Sequence, residues 1–340
     1  MVRKYIDLNK IESRGAYLNI ISSPRGPGKS WALKNRVIER WLHKGEMFIY
    51  VRRTSEEIDL TKSSHFDDIL LQKYEGKYSV KVKGDKFFFK DNSVEDAEWE
   101  LFGYAIPVSK QQSYKSSAFP LVTTIYYDEF IPDNPWSRQN PQEVHQFFSL
   151  IETVARDRKN LKVFMLSNTG FAQNPYFRFF NIKSSDFMNQ EFIKRNSGAV
   201  CMWYFRYEEE EKEMAEQKLS SLISGESFRK ASVSGDFKDI SSSLVASRPE
   251  NAVPWLLLDA SHGKFFRIFQ HEKGFWVDAG KSIAGLKTFT MGRWEISETS
   301  EYSPKVIEKL KHVLSERVIT FADPDVKAEF ITKLRKSNRN

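Results

Sequence analysis

The run Ser23-Pro-Arg-Gly-Pro-Gly-Lys29-Ser30 sets a glycine-containing turn beside a lysine and a hydroxyl. These residue types can bind the phosphates of a nucleotide. Backbone N–H groups of such a turn, with the N-terminus of the following helix, cradle phosphate oxygens. Lys29 has the spacing to reach the β- and γ-phosphates, and the Ser30 hydroxyl that to hold Mg²⁺. Ser23, Pro24, Arg25, Gly26, Pro27, Gly28, Lys29 and Ser30 are therefore the candidate nucleotide-binding loop. The usual pattern has glycine where this chain has Ser23, while Gly26 and Gly28 keep the turn flexible.

A second constellation is Tyr127-Asp128-Glu129, which closes an apolar run. An aspartate at the carboxyl edge of a sheet can bind Mg²⁺ beside Ser30, and an adjacent glutamate can orient or deprotonate an attacking water. Together Asp128 and Glu129 point to hydrolysis of ATP. Charge then develops on the γ-phosphate, and an arginine delivered there accelerates the step ~10³–10⁵-fold. Arg156 and Arg158, in Glu152-Thr-Val-Ala-Arg-Asp-Arg158, are candidates for a finger that reaches a neighbouring subunit. A solvated helix end, which favours cations in any case, is the alternative. Arg25 could sense phosphate in cis. Asn168, after the next apolar run, could read the γ-phosphate or polarise water, or simply form a turn. Arg52 and Arg53 either couple the site to a moving loop or form a surface pair. Lys110, Lys115 and nearby Tyr114 lie in a Ser- and Gln-containing loop that either touches DNA or is plain surface.

These groups need a scaffold, and the sequence supplies one. Strands are expected at 17–22, 47–51, 98–106, 121–127 and 161–166, with a hairpin pairing 78–83 with 86–90 around Gly84-Asp85. Helices are expected at 29–43, 56–71 and 143–156. Alternation of strands and helices predicts an α/β fold with a mostly parallel sheet. Residues 208–223 read as a charged helix and 224–247 as a loose connection. From residue 253 the signals are β (255–259, 264–269, 274–278, 287–291), closed by amphipathic helices at 305–314 and 325–334. The expected division is 1–200, 201–247 and 248–340.

The chain has 340 residues, a net charge of +7 and a pI near 9.1, compatible with a polyanionic partner without requiring one. No apolar stretch approaches the ~20 residues of a membrane span, and no signal core follows the N-terminus. A single cysteine, Cys201, excludes an internal disulfide and fits a reducing compartment. The expected setting is cytosolic.

Several segments, taken together, carry a resemblance. They are 48–53 (Phe-Ile-Tyr-Val-Arg-Arg), 103–107 (Gly-Tyr-Ala-Ile-Pro), 112–120, 124–130, 153–158 and 166–168, followed by Asn174-Pro-Tyr-Phe177. In order and approximate spacing they resemble the DNA-packaging ATPase of small protein-primed podoviruses, the phi29-like tailed phages, across about the first 180 residues. The resemblance implies an additional-strand (ASCE) P-loop ATPase using ATP and Mg²⁺. Its copies would form a ring, usually of five, on the portal of a procapsid and pump double-stranded DNA inward. A packaging RNA is a further candidate partner, and the host cytoplasm, at the procapsid portal vertex, the expected place. In that family the arginine matching Arg156 acts in trans, and the lysine matching Lys115 faces the subunit boundary. The C-terminal region is expected to be an α+β, RNase H-like unit that has lost cleavage, following a short helical linker. Asp259 and Asp278 end expected strands as nuclease carboxylates would, but two-metal cleavage needs a larger acidic cluster. A cellular-type DNA translocase or helicase, and a non-hydrolysing nucleotide-gated nucleic-acid-binding protein, are the alternatives; Glu129 argues against the latter.

Overall fold

The computed structural model describes residues 5–132, 142–156, 158–169, 174–183, 186–207, 244–260, 263–292, 300–316 and 318–336. The expected charged helix and loose connection at 208–247 lie outside the described residues except for 244–247, as does the tail beyond 336. The chain divides into two units, Met1–Ile182 with Asn189–Lys238, and Lys183–Met188 with Asp239–Asn340.

The first unit begins with α1 (Leu8–Glu12), β1 (Leu18–Ser23), α2 (Lys29–Lys44), β2 (Met47–Arg52), α3 (Ser55–Thr61) and α4 (Asp67–Gln72). It continues with β3 (Tyr78–Lys83), β4 (Lys86–Asp91), β5 (Glu100–Pro107), β6 (Val122–Tyr127), α5 (Glu143–Ala155), β7 (Lys162–Asn168) and α6 (Pro175–Phe179). After residues 183–188, which group with the second unit and carry most of α7 (Asp186–Asn189), come β8 (Phe192–Arg195) and β9 (Val200–Tyr204). The nine strands form one sheet in the order β3-β4-β5-β2-β6-β7-β1-β9-β8. Neighbours from β5 to β9 run parallel, and antiparallel pairs close both edges. β1, β6 and most of β7 are buried along their length, as strands covered on both faces must be, with Asn19, Ser22, Ser23, Thr123 and Thr124 among the buried residues. β7 stands between β1 and β6, so the strands that end in the phosphate loop and in Asp128 are separated by one additional strand. This is the expected α/β additional-strand fold.

Three features depart from expectation. The helix expected at 56–71 is two helices, because the break between them turns His65 and Phe66 inward. His65 Nε2 lies 2.5 Å from the Tyr126 hydroxyl, and burial holds its imidazole well below the usual range. β8 and β9 extend the sheet beyond residue 200, so residues 201–204, expected in a linker, are strand bonded to β1. Residues 108–114 form two short 3-10 turns that meet at a kink at Lys110, in place of an open polar loop.

The second unit contains β10 (Val253–Asp259), β11 (Phe265–His271), β12 (Gly274–Gly280), β13 (Thr288–Thr290), β14 (Glu301–Tyr302), α8 (Pro304–Ser315), β15 (Ile319–Phe321) and α9 (Pro324–Lys336). Its sheet has the order β14-β13-β10-β11-β12-β15. Leu258, Phe266, Ile268 and Val277 on one sheet face pack with Leu310 of α8 and Phe330 of α9 into a core of its own.

Candidate functional site

Everything at the site hangs from the carboxyl ends of adjacent strands. β1 runs directly into the glycine turn, where Gly26 and Gly28 adopt φ of 102° and 79°. Gly28 caps α2 without a side-chain bond, which leaves the first N–H groups of the helix directed at the loop. A 16-residue helix starting there adds a favourable dipole end for phosphate. Ile6 N–H donates to the Pro27 carbonyl (2.9 Å), and the Tyr207 hydroxyl to that of Arg25 (3.1 Å), so the turn is held from two sides.

Lys29 is buried, and its Nζ donates to Ser23 Oγ (2.8 Å), the Pro24 carbonyl (3.1 Å) and Asn168 Oδ1 (3.2 Å). Ser23, the departure from the usual glycine, thus takes part in holding the lysine. Register pairs Ser23 with Asn168, which is why the tip of β7 reaches this ammonium. Ser30 Oγ donates to both oxygens of Asp128, at 3.2 Å each. A hydroxyl and a carboxylate side by side are hard oxygen donors, and with two phosphate oxygens and water they would fit Mg²⁺. Among the described residues no group of three or more His, Cys, Asp or Glu could hold a metal ion. Ser30 and Asp128 would suit an ion shared with phosphates, the manner in which Mg²⁺ is usually bound.

Asp128 N–H donates to the Val51 carbonyl (3.0 Å), and Glu129 then turns outward at φ 53°. Burial pushes the Asp128 carboxyl above its usual value; Glu129 adds to this, while Arg52, Lys29 and the Ser30 bond oppose it. Glu129 is 49% exposed and is ion-paired to Arg52 Nη2 at 2.8 Å. Arg52 Nε lies 3.6 Å from Glu57 Oε2, an ion pair beyond hydrogen-bond length.

The expectation of an Arg52–Arg53 surface pair is corrected. Both cations sit at the end of β2 among carboxylates, and Arg53 is buried on Glu143 (3.1 Å). The Tyr127 and Tyr176 hydroxyls also donate to Glu143, at 2.7 and 3.2 Å. This network joins the start of α5 to β2, β6 and α6. Sequence reasoning missed Glu143, whose only local signal was an acid opening an otherwise apolar helix face.

The two candidate finger arginines are placed differently. Arg158 donates to the carbonyls of Pro120, Val122 and Val154, and so braces the entry to β6. Arg156 caps α5 at φ 45°, is exposed, and its side chain donates to the Ser117 carbonyl (3.1 Å). Both stand at the edge of the sheet opposite the phosphate loop. α5 begins beside Tyr127 and runs back for 13 residues, a separation of about 20 Å at 1.5 Å per residue. Lys110 and Lys115 are exposed in and after the 3-10 turns, and Tyr114 donates to Asp85 (2.9 Å). Arg25 is exposed on the turn itself. In the second unit, Asp278 on β12 is paired with Arg267 on the neighbouring β11 (2.5 Å).

An additional-strand sheet whose carboxyl edge gathers a phosphate-loop lysine, a hydroxyl and a strand-end carboxylate defines the P-loop ATPase class. Comparison with known proteins narrows it: the family of podovirus DNA encapsidation proteins (Gp16) matches residues 3–285, and the chain belongs to that family. The DNA packaging protein of Bacillus phage B103 is 32% identical over 272 residues, 80% of this chain and 77% of the relative. That of Bacillus phage phi29 is 39% identical over 173 residues, 51% of this chain and 49% of its own length. Among solved structures, the N-terminal domain of the DNA packaging ATPase from bacteriophage phi29 is 34% identical, with a TM-score of 0.50 over 58% of this chain and 95% of that domain. The phi29 viral genome packaging motor assembly contains a chain of the same fold (TM-score 0.68, 24% identity, 98% of this chain and all of the other).

Proposed function

We propose that this chain is the ATP-hydrolysing motor that drives double-stranded viral DNA through the portal into a preformed procapsid. Lys29 and the turn 23–30 bind the phosphates of ATP, and Ser30 and Asp128 hold Mg²⁺, which supplies charge neutralisation at the β- and γ-phosphates. Glu129 orients and deprotonates the attacking water, presented by Arg52 across the strand pair. Asn168 stands beside Lys29 to read the γ-phosphate, and Arg25 lies on the rim of the loop.

The observation that carries the ring reading is the separation of Arg156 from its own phosphate loop. A head-to-tail, heterologous ring brings the Arg156 edge of one copy to the phosphate-loop edge of the next. Lys115, near the Ser117 carbonyl that takes Arg156, belongs to the same edge. Arg158 is assigned to bracing and Arg53 to the internal network with Glu143. Five copies, portal protein and a packaging RNA complete the proposed assembly, at the procapsid portal in the host cytoplasm. Among the described residues no helix is long and apolar enough to cross a membrane.

The test is DNA-stimulated ATPase measured against protein concentration. Turnover per chain should rise cooperatively as the ring forms. Constant turnover per chain, with or without DNA, would refute the ring motor.

A further inference from the structure

The hairpin β3–β4 carries a basic surface that the nucleotide chemistry does not use. Side chains alternate across a strand, and Val80, Val82, Phe87 and Phe89 turn inward to the core. The opposite face therefore presents Lys81, Lys83, Lys86 and Lys90, with Phe88 between them. Lys83 is opposite Lys86, Lys81 opposite Phe88, and Phe88 opposite Leu101 of β5. Lys81, Lys83 and Lys86 are exposed, while Phe88 and Lys90 are half-buried. The acids of these strands, Asp91 and Glu100, are opposite Tyr78 and Phe89 and so share the core-side register. Asp85 in the turn is bonded to Tyr114.

Lysines on an edge strand commonly serve to block edge-to-edge pairing. That explains Lys81 and Lys83 on β3 but not Lys86 and Lys90, because β4 is flanked on both sides by strands. Like charges directly opposite each other weaken a sheet, and Lys83 and Lys86 are such a pair. A polyanion lying on the face removes this repulsion. Tyr114 ties the turn of the hairpin to the segment that carries Lys110 and Lys115.

We infer that the outer face of the β3–β4 hairpin is a contact surface for the phosphate backbone of duplex DNA. Lysines act there as point charges, without the planar fork that reads base edges, so contact is independent of sequence. Lys81 is stacked on Trp99 (4.1 Å), which engages that ring and favours a backbone over unpaired bases. This inference rests on the chain being a DNA motor.

The experiment measures anisotropy of a labelled 30-base-pair duplex DNA with the full chain across a salt series. The variant changes Lys81, Lys83, Lys86 and Lys90 to Gln, with Lys83→Glu and Lys86→Glu as single-site companions should the fourfold change fail to fold. Removing one lysine–phosphate pair makes the slope of log K against log salt shallower by about 0.9. A folded fourfold variant should bind at least tenfold more weakly at low salt, with a slope shallower by about 2–4. Each charge reversal should weaken binding severalfold. Unchanged affinity and slope in folded variants overturn the site while leaving the motor reading intact. Loss of binding to a duplex RNA of the same sequence, with DNA binding unchanged, also overturns it. Absence of DNA binding by the wild-type chain removes the motor reading itself and this inference with it.

Discussion

Arg52 Nη2 stands 2.8 Å from Glu129 Oε2, joining the end of β2 to the residue just beyond β6. The register sets Val51 opposite Tyr127, so the two side chains emerge from adjacent strand ends. Glu129 reaches this position through a left-handed backbone conformation, which a non-glycine residue adopts at some energetic cost. Arg52→Ala removes the partner that fixes the carboxylate and lowers kcat by ~10-fold or more, with KM for ATP nearly unchanged. Steady-state kinetics would decide this; an equal loss through KM would place Arg52 in nucleotide binding instead.

Glu129→Gln keeps size and hydrogen bonding but removes the proposed base. Turnover is expected to fall ~10²–10⁴-fold while ATP still binds, as followed by a fluorescent nucleotide. Substantial residual hydrolysis would mean that another group activates water.

In the proposed site Asp128 must be ionised to hold Mg²⁺, and burial raises its carboxyl above the usual value. Protonation therefore begins at a higher pH than for an ordinary aspartate, and activity is lost as pH falls through that raised value. Mg²⁺ competes with the proton, so the acid limb of kcat/KM should move to lower pH as Mg²⁺ is increased. An acid limb that ignores Mg²⁺ would assign it to some other group.

Arg156→Ala should abolish most assembly-dependent turnover, a loss of ~10³–10⁵-fold if the whole finger effect resides there. Mixing it with Glu129→Gln chains should restore activity. Boundaries then form that combine an intact glutamate with an intact arginine. Mixtures no more active than the separate variants would exclude action in trans. Arg158→Ala should instead lower the melting temperature, because the carbonyls of Pro120 and Val122 lose their donor.

Glu143→Ala leaves the buried Arg53 guanidinium without its carboxylate, and Tyr127 and Tyr176 without their acceptor. Removing one partner of a buried pair costs about 3–5 kcal/mol. Calorimetry should show Tm lower by roughly 10 °C.

The glycine turn at 23–30 and the strand-end acids were legible as local features: adjacent residues supply the turn, the cation and the hydroxyl, and the structure brings Ser30 and Asp128 together. The strands 47–51, 121–127 and 161–166 were equally plain, since apolar runs of that length suit a sheet buried on both faces. Long-range pairings were not legible. Nothing near Arg53 in sequence announces Glu143, 90 positions away, and nothing near Ser23 announces Asn168. β9 carried an overlooked signal, the apolar run Val200-Cys-Met-Trp-Tyr204. The break between α3 and α4 escaped because inward packing of His65 overrode a sequence suited to one continuous helix.

The chain leaves the first sheet from a particular place. Phe205 N–H is bonded to the Ser22 carbonyl, and the Tyr207 hydroxyl to that of Arg25, the last described residues before position 244. Tension arriving from the C-terminal direction along the polypeptide would therefore bear first on the backbone of the phosphate turn. Pulling on the C-terminus should then loosen bound nucleotide before the sheet gives way.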